Sequence, residues 1–321
     1  MTTAAPPARL GAFPVSFFSM VMGLSGLTIV AHRAATGLGG GAVVGQALFG
    51  LTLALFLLLA GLYLAKMVRH FDAVAAEWRH PVRISFFPTI TIGLILLGTA
   101  AQPVDPLLAR LLWSAGAGGH LVMTLAVMRS WIGYTHYDIT HFNPAWFIPV
   151  VGNILVPIAG IHLAPADLSW FFFAIGLLFW LVLMTIAFYR LIFHPPLPGK
   201  LVPTLFILLA PPSAGFLAWV AINDGAIDPF ARLLYFGALF LFLLLLTQLP
   251  TFTRQRFTLS WWAYSFPLAA FAAATLTMGS LHETYRLAGL GLAAVLAVLI
   301  AGLTLRTLVA VTRGEICQPE S

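Results

Sequence analysis

The chain carries ten apolar stretches, each close to the length that a helix needs to cross a membrane, with short polar connections between them. A span takes about 20 apolar residues, because a helix rises about 1.5 Å per residue through a hydrocarbon layer of about 30 Å. Of the 321 residues 60% are apolar and 8% are charged, which excludes a water-soluble globule. The predicted spans are about 14–33, 42–65, 84–101, 107–130, 146–163, 168–192, 202–222, 229–249, 259–280 and 286–311.

These stretches predict an all-α polytopic membrane protein whose single transmembrane domain covers residues 1–321. They lack the alternating ten-residue pattern that is typical of outer-membrane barrels. The net charge of +6 comes from Lys and Arg residues that lie singly between the apolar stretches. Because they form no basic stripe, we expect membrane lipid as a partner and no nucleic acid.

The basic residues are distributed unevenly between the two sides of the predicted bundle. With a cytoplasmic N-terminus, twelve lie on the cytoplasmic side and four on the other, as the positive-inside rule requires. We therefore expect a multi-pass protein of the cell's inner (plasma) membrane with both termini in the cytoplasm. The inside residues are Arg9, Lys66, Arg69, Arg79, Arg83, Arg129, Arg190, Lys200, Arg254, Arg256, Arg306 and Arg313, and the outside residues are Arg33, Arg110, Arg232 and Arg286.

Prolines occur inside the odd-numbered spans and not inside the even-numbered ones. Proline removes a backbone donor and tends to kink a helix. Successive steps of 61, 62 and 56 residues separate Pro88, Pro149, Pro211 and Pro267, which indicates a repeated helical hairpin. Tolerated kinks, common in membrane helices, are the alternative explanation for any one of them. The candidates for kinks or pore-lining positions are Pro88, Pro149, Pro157, Pro211, Pro212 and Pro267, with Gly23 and Gly26 in the first span, which has no such proline.

Side-chain chemistry alternates in the same way. The odd spans are comparatively rich in small and hydroxyl residues, whereas the even spans are rich in Leu and Phe. Small residues allow close helix packing, and irregular backbone within a membrane is tolerated where protein or a watery cavity surrounds it. We predict five helical hairpins, with an inner ring of five kinked odd-numbered helices around a central path and five outer helices facing lipid.

The predicted path is neutral. All ten acidic residues fall in loops, tails or helix ends, and the odd spans lack Lys and Arg at depth. This pattern counts against an interpretation as a proton pump or a cation pore, because both use intramembrane carboxylates. A neutral path would select anions mainly by their dehydration cost, assisted by basic residues at its cytoplasmic mouth. The candidates at that mouth are Arg79 and Arg83.

The sequence predicts no cofactor, no metal and no enzymatic activity. The chain has one cysteine, Cys317, so a CxxC site is excluded. Only His120 lies deep in a span, and the histidines of HYDITH (136–141) lack a metal-binding spacing. A membrane-embedded enzyme or haem protein stays open as an unsupported alternative.

Four stretches resemble the tellurite-resistance and dicarboxylate transporter (TDT) family, which includes bacterial tellurite-resistance proteins and the slow anion channels of plant guard cells. They are HPVRISFFP (80–88), NPAWFIPVVGN (143–153), APPSAGFLAW (210–219) and LSWWAYSFPL (259–268). The resemblance covers corresponding hairpins across nearly the whole chain. It implies ten helices around a central pore and a homotrimer with one pore in each protomer.

The resemblance also implies a gate. In that family a phenylalanine of the ninth helix plugs the pore, and the matching position is Phe266 in YSFP. Because Phe266 precedes Pro267, we expect its backbone to be biased away from the helical region and its ring to point to the axis. The family residue facing this ring is often glycine, and the equivalent place here is Ser19, which is therefore a pore-lining candidate together with Gly23 and Gly26. A Phe packed between helices is the alternative.

These observations favour a passive channel for small monovalent anions such as chloride and nitrate, occluded by Phe266. A secondary transporter or exporter of tellurite or a C4-dicarboxylate is the alternative. The absence of buried acids counts against proton coupling, and the absence of buried Lys or Arg counts against a dicarboxylate clamp.

Overall fold

The computed structural model describes residues 10–38, 42–133 and 137–317. Within these ranges the chain is helical and forms no strand, so the predicted all-α class is confirmed. Arg9 and His136, both used above, lie outside the described residues. Nine of the described helices are long and apolar enough to cross a membrane, and their ends differ from the predicted ones by at most four residues. The remaining predicted span, about 259–280, is helical over 259–278 but is not one of the nine.

The α-helices are separated by short turns and 3₁₀ segments. Their bounds are α1 Ser19–Leu38, α2 Ala42–Arg69, α3 Phe71–Arg79, α4 Pro88–Ala101, α5 Pro106–Gly133, α6 Phe147–Val151, α7 Val156–Leu163, α8 Ala166–Phe193, α9 Ala210–Ile222, α10 Pro229–Thr247, α11 Leu249–Thr253, α12 Ser265–Met278 and α13 Glu283–Thr312.

Each odd-numbered span begins as a 3₁₀ helix and continues as an α-helix. The 3₁₀ segments that begin these spans or interrupt them are Val15–Phe18 before α1, Arg83–Phe86 before α4, Pro144–Trp146 before α6, Gly152–Leu155 before α7, Gly199–Leu209 before α9 and Leu259–Tyr264 before α12.

Most of the predicted proline kinks fall where 3₁₀ gives way to α-helix. Pro88 is the first residue of α4, Pro157 the second of α7, Pro211 the second of α9 and Pro267 the third of α12. Proline fits the first turn of an α-helix because an N–H there has no intrahelical acceptor. These prolines therefore mark the start of each α segment instead of interrupting one.

Two prolines differ from this pattern. Pro149 lies inside the short helix α6, between two 3₁₀ segments. Pro203, which the sequence analysis did not single out, lies inside Gly199–Leu209 and marks the longest of the 3₁₀ segments. Both sit in irregular helical backbone, where the loss of one α-helical hydrogen bond costs little.

Burial divides the spans as their composition predicts. The odd-numbered candidate spans are 67%, 83%, 72% and 72% buried inside the protein, whereas the even-numbered ones are 22% to 33% buried. In α12 nearly every side chain is buried. The outward helices expose large apolar side chains such as Leu58, Leu125 and Phe240, as expected for surfaces in lipid.

The buried segments contact one another in succession. Helix α1 packs against α4 and α12, α4 also contacts α6 and α7, α7 contacts α9, and α9 contacts α12. Every buried segment thus has two buried neighbours. The central wall of the protein is built by these helices, and the outward helices pack on its outside.

A buried ion pair ties the first buried segment to its neighbours. Glu77 of α3 accepts hydrogen bonds from Lys66 (2.7 Å), from the hydroxyl of Tyr63 (2.9 Å) and from the backbone N–H of Val15 (3.2 Å). Lys66 also donates to the carbonyl of Phe13 at 2.8 Å. The sequence analysis placed Lys66 among the basic residues of the inside segments and Glu77 among the loop acids, whereas the structure buries both side chains almost completely.

Candidate functional site

Two cavities lie between the buried segments, and all five segments contribute to both. We name them by their position along those segments, the proximal cavity nearer their N-terminal ends and the distal cavity nearer their C-terminal ends. Their volumes are about 40 Å³ and 20 Å³ respectively. The proximal cavity is lined by Met22, Ile92, Phe147, Ile148, Val151, Gly152, Ile154, Leu155, Ile207, Ala210, Pro211, Ala214 and Phe266, and the distal cavity by Gly26, Ile29, Arg33, Leu96, Thr99, Leu155, Ile158, Ala214, Leu217, Phe266, Ala269, Ala270 and Ala273.

The two cavities are stacked along the helices. Odd-numbered spans run in the same direction, since each hairpin reverses the chain. On α1 the lining moves from Met22 to Gly26, and on α4 from Ile92 to Leu96. Four residues of helix correspond to about 6 Å along its axis. The distal cavity therefore continues the line of the proximal one.

Phe266 lies at the boundary between the cavities. Phe266 lines both of them, as do Leu155 and Ala214, and it is 9% exposed. It is the second residue of α12. The expectation that Pro267 biases its backbone away from the helical region is wrong, because proline is well accommodated in the first turn of an α-helix and the irregular 3₁₀ segment ends just before it, at Tyr264.

Glycines of α1 let α12 approach closely. A Cβ atom on Gly23 would lie 2.7 Å from the Cβ of Ser265, so Gly23 serves helix packing. A Cβ on Gly26 would lie 2.6 Å from the Cβ of Ala269 and 3.6 Å from the ring of Phe266. Gly26 thus lies beside the ring and borders the distal cavity, whereas Ser19 lines neither cavity and donates its hydroxyl to the Ser16 carbonyl at 2.6 Å.

The other predicted site residues are further from the cavities. Of the prolines only Pro211 lines one, and Pro88, Pro149, Pro212 and Pro267 are buried within the surrounding helical wall.

The two basic residues predicted at a cytoplasmic mouth, Arg79 and Arg83, line neither cavity. Arg79 is exposed at the end of α3, and Arg83 is partly buried at the start of a 3₁₀ segment. The ring of His80 accepts the backbone N–H groups of Val82 and Arg83 at 3.1 Å and 3.3 Å. These contacts give His80 a structural role in the turn that precedes α4. The part played by Arg79 and Arg83 at a mouth stays a prediction.

The walls of the cavities are almost entirely apolar. Arg33 is the one charged residue among those that line them, and its guanidinium donates a hydrogen bond to the Thr277 hydroxyl at 2.7 Å. The sequence analysis counted Arg33 among the outside residues, at the end of the first predicted span. In the structure α1 continues past Arg33 to Leu38. The spacing from Gly26 through Ile29 to Arg33 could have indicated that Arg33 lies on the cavity-lining face of α1, since these positions share one helix face.

A cluster of buried polar side chains lies between α4, α5 and the fifth span. The His120 ring lies 2.9 Å from the Thr91 hydroxyl. The Thr124 hydroxyl lies within hydrogen-bond distance of the carbonyls of His120 (2.8 Å) and Pro149 (2.7 Å), and the Asn153 side chain donates to Thr124 at 2.9 Å. These contacts join α4 and α5 to the irregular fifth span, where they satisfy polar groups of the broken helix.

The described residues include no group of three or more His, Cys, Asp or Glu side chains that could hold a metal ion. The residues that approach one another at the cavities are apolar, apart from Arg33 and Thr99. Such a lining offers no nucleophile or general base at the boundary between the cavities.

The fold and the paired cavities define a helical multi-pass membrane protein. The sequence model of the family described as "SLAC1: Voltage-dependent anion channel" matches residues 12–308. The chain belongs to this family, which confirms the resemblance noted in the sequence.

Individual relatives agree with the family match. The chain is 31% identical over 271 residues to the S-type anion channel SLAH3 of Arabidopsis thaliana, covering 82% of this chain and 42% of that protein. It is 28% identical to the tellurite resistance protein TehA homolog of Haemophilus influenzae (81% and 79% covered) and 28% identical to an uncharacterized transporter of Methanocaldococcus jannaschii (86% of each). The chain spans about half the length of the plant relatives SLAH3 and SLAH2.

Proposed function

We propose that this protein is a passive anion channel for small monovalent anions, chloride and nitrate among them, and that the ring of Phe266 occludes its path. The observation that supports the proposal is that Phe266 lines both of two stacked cavities, to each of which all five buried segments contribute. Removing the ring would join the two cavities into one path.

The lining supports a channel over a coupled transporter. No Asp or Glu is among the residues that line the cavities, so the path offers no carboxylate relay for protons. An ion crosses a channel quickly only when its binding is weak enough for release. A wall of Ile, Leu, Ala and Gly binds an anion weakly. It selects among anions by the free-energy cost of removing their hydration water.

The architecture belongs to the same proposal. We infer ten spans, with five inner helices in a ring around the path, a homotrimer with one pore in each protomer, and a location in the inner membrane with both termini in the cytoplasm. The succession of contacts among the buried segments supports the ring. The family, one of channels and transporters, supports a role in transport and not in catalysis.

The test of the gate is the current carried by Phe266→Ala. We expect the unmodified protein to pass little anion current in planar bilayers and the variant to pass currents at least tenfold larger that follow chloride and nitrate gradients. Phe271→Ala is the matched control, because Phe271 is a buried ring on the same helix that lines neither cavity. It is expected to stay as quiet as the unmodified protein.

Two results would count against the proposal. Equal currents from the Phe266 and Phe271 variants would assign the effect to general loosening of α12. If all proteins stay silent while tellurite or C4-dicarboxylate uptake into vesicles depends on a proton or sodium gradient, a secondary transporter takes the place of the channel.

A further inference from the structure

Trp262 lies in the 3₁₀ segment that leads into α12, the helix that carries Phe266. Its side chain is 1% exposed and contacts two other helices. The indole N–H donates to the Thr307 hydroxyl of α13 at 3.0 Å. A Cβ atom placed on Gly23 of α1 would lie 3.4 Å from Cε3 of the same ring. The ring of Trp262 is therefore fixed against both α13 and α1.

The hydrogen bond between Trp262 and Thr307 has a defined direction. An indole N–H can only donate. The Thr307 hydroxyl donates its own hydrogen to the Leu303 carbonyl at 2.7 Å, so its oxygen is left to accept from Trp262. Both side chains are buried. Loss of the Thr307 hydroxyl would leave a buried N–H without its acceptor, and such a group is costly.

The backbone links this anchor to Phe266. The Trp262 carbonyl accepts the backbone N–H of Ser265 and also the Ser265 hydroxyl, the latter at 2.6 Å. Ser265 is the first residue of α12, and Phe266 is the second. The junction of the 3₁₀ segment with α12 is thus held by two hydrogen bonds to one carbonyl. Through Ser265 and Trp262, the position of Phe266 is tied to α13.

We propose that Trp262, held by Thr307, is a positioning residue that keeps the ring of Phe266 between the two cavities. This role rests on the proposed gate. A contact shifts a gating equilibrium only when its strength differs between the two states. The bond to Thr307 is made while the ring separates the cavities, and it is weakened when the ring leaves that place.

The first test measures anion current with the ring of Phe266 present. Thr307→Val keeps the shape of the side chain and removes the hydroxyl. We expect its chloride current to be about threefold to tenfold larger than that of the unmodified protein, the factor that the loss of one buried hydrogen bond produces. Thr307→Ser keeps the hydroxyl and is expected to stay quiet. Trp262→Phe, which removes the N–H, is expected to resemble Thr307→Val.

Thr312→Val is the matched control for this test. Thr312 lies on the same helix, α13, but its hydroxyl is exposed. Among the contacts of the described residues this hydroxyl bonds only the Val309 carbonyl of its own helix, at 2.9 Å. Thr312→Val is therefore expected to leave the current unchanged.

A second measurement separates positioning from general stability. In the Phe266→Ala background there is no ring to position, so adding Thr307→Val is expected to give no further increase in current. A general loss of stability would act differently, because it would reduce the number of folded channels and lower the current in both backgrounds.

A third measurement observes the ring without conduction. 4-Fluorophenylalanine at position 266 is expected to give one fluorine NMR signal in the otherwise unmodified protein and in Thr307→Ser. In Thr307→Val the signal is expected to shift or split, because the ring is no longer held in one place.

The outcomes separate the positioning role from the channel proposal. If Phe266→Ala conducts but Thr307→Val changes neither the current nor the fluorine signal, the positioning role is refuted and the channel stands. An effect of Thr312→Val as large as that of Thr307→Val, or an equal effect of Thr307→Val in both backgrounds, would also overturn it. If Phe266→Ala is silent, the channel proposal fails, and the fluorine signal alone decides whether Thr307 positions the ring.

Discussion

Gly23 occupies a point where α1 and α12 touch, and it illustrates how single residues set the spacing of the inner helices. Any Cβ there would meet the side chain of Ser265, whose hydroxyl is itself held by the Trp262 carbonyl at 2.6 Å. The neighbour cannot turn away without giving up that bond. The absence of a side chain at Gly23 is therefore a condition for the close packing of α1 against α12, the helix that carries Phe266.

We predict that Gly23→Ala lowers the stability of the protein by about 1–3 kcal/mol, the usual cost of overpacking. Thermal unfolding in detergent, followed by tryptophan fluorescence, measures the change. Gly61→Ala is the matched control, because a Cβ at Gly61 of α2 meets nothing within 4 Å and the substitution improves helix propensity. Equal stability of the two variants would contradict the packing role of Gly23.

At the scale of elements, the regular feature of this fold is the change from 3₁₀ to α-helix within each inner span. Such a change leaves backbone carbonyls without their usual partners. In the fifth span the Thr124 hydroxyl of α5 lies 2.7 Å from the Pro149 carbonyl, and Asn153 donates to Val150 at 2.7 Å. Side chains of a neighbouring helix thus help to support the irregular backbone.

We predict that Thr124→Val lowers stability by about 1–3 kcal/mol, because it leaves buried polar groups of the fifth span unsatisfied. Thr185→Val is the matched control, since the Thr185 hydroxyl is exposed and bonds only the Leu181 carbonyl of its own helix among the contacts of the described residues. Detergent-melting curves of both variants provide the measurement. A loss of stability in Thr185→Val as large as that in Thr124→Val would rule out the supporting role.

At the scale of the whole molecule, the distribution of basic residues predicts its orientation. Cys317 is the single cysteine of the sequence. Replacing it by serine leaves a background in which one introduced cysteine can be labelled. Ser280, in the connection between α12 and α13, and Thr253, in α11, are both exposed and lie at opposite ends of α12.

We predict that Ser280→Cys reacts with a membrane-impermeant maleimide on intact cells and that Thr253→Cys reacts only after the cells are opened. The physical reason is that basic connections are retained in the cytoplasm. Mass-tag gel shifts of the purified protein would score the labelling. The reverse pattern would invert the topology, and it would move the distal cavity with Arg33 to the cytoplasmic side.

Much of the fold follows from the sequence because hydropathy is a property of each stretch by itself. A run of about 20 apolar residues becomes a helix in a membrane whatever it packs against, since its backbone groups have no other partners there. The spans that contain proline and many small residues were accordingly predicted to be buried, and the Leu-rich spans to face outward. The burial of the spans follows this division.

Part of the candidate site was also accessible from the sequence. The motif around Phe266 singled out one of 26 phenylalanines, and this residue lines both cavities, while its role as a gate stays a prediction. The expected partner Ser19 lines neither cavity, whereas Gly26 lies beside the ring. Which residue of α1 meets α12 depends on the rotation and height of both helices, and motif matching contains no information on either.

The sequence by itself determined that this chain is an all-helical membrane protein of alternating buried and outward spans, because span length and composition are local properties. Only the tertiary structure decided which side chains meet. It pairs Lys66 with Glu77 in the interior, and it holds Arg33 against Thr277, 244 residues further along the chain. Such contacts depend on how whole helices tilt and turn against one another, and that is set by the sum of packing over the entire bundle.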